Sequence, residues 1–363
     1  MSLTEEQLLD DVRRRLFAPT TSASPRAIGL ELELIPVHRA TRKRAMVTEP
    51  SGGTAKILSD LGRQLGWREQ ATDGDAPSWN LVDGSCISFE PGGQIEFSTA
   101  PDASASAVID VATRLVKRVR DAMSASEIDL LALGVDPYNS VESVPLQRHG
   151  ERYQGMTRFF DSLAPSGVQM MRQTAALQIN IERGPKPLER WKLLNALAPV
   201  IIALFANSGD YGGSPTGHRS YRAHLWRSLD RTRTGIVGNG RDPAPGYHQF
   251  ALSALAMRSG DERGGYRPFG EWMKADDVDN DEWLFHLSTL FPEVRAKEYF
   301  ELRSADTIGV DSLAAPVVFV TGLVYDDECA AAAARILPRA DVGLLERSGR
   351  LGLEDPDLRD LAT

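Results

Sequence analysis

Residues 29–35 read GLELELI, a strict alternation of aliphatic and acidic side chains. In an extended strand, residues i and i+2 share a face, so Glu31 and Glu33 project together while Leu30, Leu32 and Leu34 turn to the other side. Three more segments repeat the pattern: Gln94 and Glu96 in PGGQIEF (91–97), Gln178 and Asn180 in LQINI (177–181), and Glu301 and Arg303 in YFELRS (299–304). The residues between them (Ile95 and Phe97; Leu177, Ile179 and Ile181; Phe300 and Leu302) are apolar. This predicts a sheet with one apolar face for a core and one face crowded with carboxylates and carboxamides. Two carboxylates ~4 Å apart repel by roughly 4 kcal/mol at an effective dielectric near 20, so several together call for cations. The simplest reading is a divalent-metal site built on a sheet.

Outward from these strands, hydrophobic spacing predicts helices over 4–16, 52–67, 103–125, 153–163, 187–207, 247–258, 268–274, 281–288 and 311–325. Strands are predicted over 26–37, 130–134, 175–182 and 298–303, with two or three more within 78–98, where Asp83-Gly84 and Pro91-Gly92-Gly93 mark turns. Residues 18–25 and 72–77 read as loops, and the Gly-, Arg-, Ser- and Thr-rich stretch 209–245 as a functional loop region. Strands scattered among helices without a βαβ rhythm predict an α+β fold with an antiparallel sheet. The expected organisation is one catalytic domain: an N-terminal helix and linker (1–25), a catalytic core (26–326) and a C-terminal helical region (327–363).

Each constellation has a bland alternative. Glu31 and Glu33, taken alone, fit two solvated carboxylates. In Glu90-Pro-Gly-Gly-Gln94-Ile-Glu96, the turn brings Glu90 and Glu96 together from both arms, which suits a metal or a nucleotide phosphate; a simple hairpin would use the same glycines. Gln178 and Asn180 either line a polar cavity or join a buried hydrogen-bond network, because an unpaired buried amide costs about 1–3 kcal/mol. Glu301 and Arg303 could be a same-face salt bridge, although the run 286–306 is dense in charge for a purely structural strand. In 220–235, Arg222, Arg227, Arg231 and Arg233 suit triphosphate or carboxylate recognition through their planar forks. For Arg227 and Arg231 a solvated helix face is the preferred reading.

Bulk composition excludes some classes. A formal net charge of -9 over 363 residues argues against a nucleic-acid partner. Two cysteines, Cys86 and Cys329, make no disulfide framework, and a reducing cytoplasm is expected. No signal peptide is visible in residues 1–20, and the apolar stretch 196–206 is too short to span a bilayer, so no membrane association is expected. There is no Walker motif, so any nucleotide site is not a P-loop. The six histidines show no zinc-protease spacing; oxygen donors point to Mg²⁺ or Mn²⁺.

Six segments in series carry a family resemblance: IGLELE (28–33), ISFEPGGQIEFSTAP (87–101), MMRQTAALQIN (170–180), ALAPVIIALFANS (196–208), HRSYRAHLWRSLDRTRTG (218–235) and HLSTLFPEVRAKEYFELRSAD (286–306). In these the sequence resembles the glutamate–cysteine ligases of the plant and bacterial type, including the actinobacterial branch that feeds ergothioneine synthesis. The resemblance implies a glutamine synthetase-like fold, a curved antiparallel sheet whose polar concave face holds ATP and metal, with helices on the other face. It implies metal ligands at Glu31, Glu33, Glu90, Glu96, Gln178 and Glu301, catalytic roles for Arg303 and Glu301, and substrate contacts at Arg172, Asn180, Arg222, Trp226 and Arg233. The implied substrates are ATP, glutamate and cysteine, joined through a γ-glutamyl phosphate. A related ligase using another amine, or a guanidino phosphotransferase, would be the alternatives. Where plant members carry a regulatory cysteine this chain has Thr174, so redox control of that kind is not expected.

Overall fold

The computed structural model describes residues 3–20, 26–50, 52–70, 75–238, 240–260 and 265–362. Parts of the two loops expected at 18–25 and 72–77 lie outside these residues. The alternating segments do become strands. Nine strands form one sheet: β1 (Ile28–His38), β2 (Arg68–Gln70), β3 (Ser78–Asn80), β4 (Cys86–Phe89), β5 (Ile95–Ser98), β6 (Ile128–Leu131), β7 (Ala176–Glu182), β8 (Val294–Ala296) and β9 (Tyr299–Asp306). Their order is β8-β9-β7-β1-β5-β4-β3-β2, with β6 also on β1. Every pairing is antiparallel.

Register explains why the faces stay separate across the sheet. Leu32 lies opposite Phe97 on one side and Leu177 on the other, and Leu30 lies opposite Ile179. These residues are almost wholly buried and join the main apolar cluster. Helix α1 (Ala105–Ser124) packs its buried stripe of Val108, Ala112, Leu115, Val116 and Val119 against β1, β5 and β6. Farther along the sheet, α4 (Pro187–Leu204) covers β8 and β9, and α6 (Ala314–Tyr325) wedges against α1 and α4. The apolar face is thus roofed by helices, as the alternation predicts.

Some expectations need correction. The helix expected over 4–16 is α-helical only over Glu5–Asp11 and then widens into a π turn, Val12–Leu16. The helix expected at 153–163 begins at Glu151 as α2 (Glu151–Leu163), and a second helix, α3 (Pro165–Gln173), follows it with proline in its first turn. The stretch 209–245 is not all loop: Ser220 accepts from the Ala223 N–H and starts α5 (Tyr221–Arg227). Edge strands β2 and β8 carry no signal in the sequence because three residues are too few to show a period. No helix among the described residues is long and apolar enough to cross a membrane.

Candidate active site

Residues of the polar face converge because of the same register. Glu33 lies directly opposite Glu96, Glu96 opposite Ser88, and Glu31 opposite Gln178. Glu90 joins them from the β4–β5 turn, where the Glu90 N–H donates to the Gln94 carbonyl and the Gly93 N–H to that of Glu90, each at 2.8 Å. Gly93 takes a positive φ of 82°. At Gly92 a Cβ would stand 2.1 Å from the Arg172 carbonyl oxygen, so only glycine lets the turn seat against the end of α3. Gln94, expected to project beside Glu96, locks this turn instead: its Oε1 accepts from the Gly92 N–H, and its amide donates to the Thr174 carbonyl at 2.7 Å. Beneath it lies a fully buried Arg44–Asp136 ion pair at 2.7 Å, with Arg44 Nη1 also donating to the Gly92 carbonyl.

The result is a cluster of three carboxylates, Glu33, Glu90 and Glu96, with oxygens all within 4.8 Å of one another. Burial, and then mutual repulsion, pushes each upward: Glu33 and Glu90 to about 7 and Glu96 to about 8. Glu33 is further oriented by the Ala176 N–H at 2.8 Å and the Gln178 amide at 3.1 Å, and Glu96 accepts from the Ser88 hydroxyl at 2.9 Å. Oriented, mutually repelling carboxylates are the donor set a hard divalent cation favours. Glu31 sits beside them on the cavity wall, accepting from Asn180 Nδ2 at 2.9 Å.

Guanidinium groups face the acids. Arg303, Arg222, Arg295 and Arg152 line the same cavity as Glu31, Glu33, Glu90, Glu96, Gln178 and Trp226. The register of β9 on β7 shifts after Leu302, a bulge that alters the strand just where Arg303 projects. Arg303 Nη1 donates to Gln178 Oε1 at 2.6 Å and to Glu301 at 2.5 Å, while its buried Nε has no partner among the described residues. The guanidiniums of Arg222 and Arg303 lie 5.0 Å and 5.2 Å from the centroid of the Trp226 ring. Arg222 in turn donates to the Arg303 carbonyl at 2.8 Å and faces Asp306. The cavity thus brings a cluster of carboxylates that can hold a cation together with guanidiniums that can hold an anion, an arrangement suited to a metal-bound polyphosphate beside a carboxylate.

Four residues of the expected set sit elsewhere. Glu301 is fully buried beneath the cavity; Arg295, Lys297 and Arg303 all pair with it, at 2.6, 2.6 and 2.5 Å. Burial alone would raise its carboxyl, but Arg295, Arg303 and Lys297 hold it well below the usual range. Its oxygens are occupied by cations of the chain itself, so the geometry makes it an anchor for arginines. Arg233 is also fully buried, donating to Asp230, the Thr289 carbonyl and the Leu255 carbonyl; it ties loops together away from the cavity. Asn180 reaches the site only through Glu31, and the Arg172 side chain does not line the cavity. Conversely, Arg295, Arg152 and Tyr153 were not anticipated. Arg295 lies opposite Glu301 across a tight hairpin, a pairing that the run VRAKEYFELR could have revealed. Arg152 and Tyr153 stand on a helix of mixed charge, which sequence gives no reason to separate from a solvated face.

The family described as glutamate–cysteine ligase family 2 (GCS2) matches residues 27–354. The glutamate–cysteine ligase EgtA of Mycolicibacterium smegmatis is 35% identical over 327 residues, spanning 84% of this chain and 75% of that protein. That of Mycobacterium tuberculosis is 34% identical over 76% of this chain and 67% of its own length. The chloroplastic enzyme of Brassica juncea is 32% identical over 76% of this chain, which spans only 56% of it. Among solved structures, the glutamate–cysteine ligase of Francisella tularensis in complex with AMP superposes with a TM-score of 0.52 at 12% identity, over 93% of this chain and 70% of that one, and so shares the fold. The chain belongs to the glutamate–cysteine ligase family 2.

Proposed function

We propose that this protein joins the γ-carboxylate of glutamate to the amine of cysteine at the expense of ATP, within a single catalytic unit whose core is residues 26–326. The observation that carries the reading is one cavity lined by three converging carboxylates and by four guanidiniums. Glutamate's γ-carboxylate attacks the γ-phosphorus of ATP, releasing ADP and leaving an acyl phosphate; the cysteine amine then displaces phosphate to form the amide. A magnesium or manganese ion held by Glu33, Glu90 and Glu96, with Glu31 and Gln178 alongside, would offset charge on the phosphate oxygens.

The side chains supply position and charge. Arg303 is held at Nη1 by Gln178 and Glu301, which leaves its other donors for the carboxylate or the transferred phosphoryl group. A fixed guanidinium stabilises charge as it develops on those oxygens, without the reorganisation that water requires. The Trp226 ring packs beside both Arg222 and Arg303, and its π electrons favour their charge. The chain needs no nucleophile, consistent with the partly buried Cys86 and the remote, exposed Cys329; free thiols also suit a reducing cytoplasm.

ADP release measured with ATP, magnesium, glutamate and a panel of amino acids tests the proposal. Cysteine should stimulate release most, and mass spectrometry should find the isopeptide. Stimulation by a different amine with none from cysteine would overturn the acceptor, and a phosphorylated guanidine as product would overturn the reaction class.

A further inference from the structure

Helix α5 presents two faces to two different pockets. Arg222 and Trp226 point into the cavity described above, whereas His224 and Arg227 line a separate cleft of about 670 Å³ on the reverse side. That cleft is closed by Arg347 and Arg350 from the helix Val342–Leu351 and by Arg231 from the loop after α5. Four guanidiniums and the imidazoles of His218 and His224, whose ring centroids are 4.5 Å apart, surround one carboxylate, Glu346. In a chain of net charge -9 this is a strong local reversal of sign.

The charges are also unspent. Arg347 is paired with Asp355 and Asp357, but Arg227, Arg231 and Arg350 make no salt bridge among the described residues. Arg227 is the telling one. The sequence suggests a solvated face for it, yet the structure half-buries the side chain and leaves its Nη1 without solvent or a hydrogen-bond partner. With Nη1 enclosed by protein, the Arg227 side chain is held in place, and its charge adds to those of Arg231 and Arg350 at the cleft.

We propose that this cleft is a second anion site, separate from the catalytic cavity, that takes a small molecule bearing a chain of phosphoryl groups. Several planar forks around one opening match bridged phosphate oxygens better than a single carboxylate, and the volume falls within the usual range for small-molecule sites.

The test is calorimetric titration of inorganic tripolyphosphate into the full chain in metal-free buffer. Wild type should bind one equivalent. Charge reversal of the two exposed rim residues, Arg231→Glu with Arg350→Glu, should weaken binding by at least about tenfold, while Arg303→Gln, in the catalytic cavity, should leave it unchanged. With ATP saturating and no tripolyphosphate present, the rim variant should turn over like wild type, which also reports that it is folded. If it does not fold, Arg350→Ala alone is read in its place. Absence of binding to wild type, full binding to the rim variant, or loss on Arg303→Gln would each overturn the proposal. Citrate binding as tightly as tripolyphosphate would overturn the phosphoryl assignment.

Discussion

Glu301→Gln separates two roles for the residue at the base of the cavity. The substitution keeps volume and shape but removes the charge that balances Arg295, Lys297 and Arg303 in a fully buried position. Removing one partner of a buried ionic cluster costs about 3–5 kcal/mol, because the remaining charges stay desolvated. With about 2.1 cal/mol/K of unfolding entropy per residue, a chain this long moves by about 1.3 °C per kcal/mol, so Tm should fall by roughly 4–7 °C at pH 7. The pH dependence has a definite sign. The folded carboxyl lies well below its unfolded value of 4.5, so its stabilisation is present above about 4.5 and is lost as pH falls through the folded value. The gap between variant and wild type should therefore close on acidification. Magnesium-induced stabilisation should change little, since Glu33, Glu90 and Glu96 remain, while kcat should drop because Arg303 loses an anchor. Scanning calorimetry between pH 3.5 and pH 8, with and without magnesium, measures both. A Tm within about 1 °C of wild type, together with abolished magnesium stabilisation, would refute the anchoring argument and make Glu301 a metal ligand.

Other perturbations have equally definite outcomes. Glu33→Gln should lower magnesium affinity and turnover yet make the metal-free protein more stable at pH 8. Its carboxyl is pushed up to about 7, first by burial and then by Glu96, so the ionised form above that pH costs the fold up to about 3 kcal/mol, a cost absent near pH 4.5; urea unfolding in metal-free buffer showing a less stable variant at pH 8 would contradict this. Arg303→Lys should reduce kcat by about 10²–10³, since an ammonium cannot hold both Gln178 and Glu301 and still present a fork; unchanged turnover would remove Arg303 from the chemistry. Gly92→Ala places a methyl 2.1 Å from the Arg172 carbonyl oxygen and should cost about 1–3 kcal/mol while displacing Glu90; wild-type stability and magnesium response would show that the turn tolerates a side chain.

What was legible in the chain follows from which interactions are local. The period-2 alternation assigned faces within 30–34, 95–97, 177–181 and 300–303 without knowledge of their partners, because a face depends only on parity along one strand. The carboxylate cluster needed more: Glu33 meets Glu96, and Glu31 meets Gln178, through a register that hydrogen bonds set between segments far apart in sequence. Family resemblance implied a set of residues but not the neighbours each one meets. Glu301 and Glu33 both read as acidic residues on a polar face, and only the cross-strand neighbour divides them. Arg295 opposite Glu301 neutralises one, whereas Glu96 opposite Glu33 leaves the other in need of a cation. The arginines failed for the same reason in reverse. Arg222, Arg227 and Arg233 fall within one short Gly- and Thr-rich segment and look interchangeable there. Folding sends the first to the catalytic cavity, the second to the cleft behind it, and the third into a knot of backbone carbonyls. A guanidinium's function is set by which acceptors already occupy its five donors, and those acceptors are non-local.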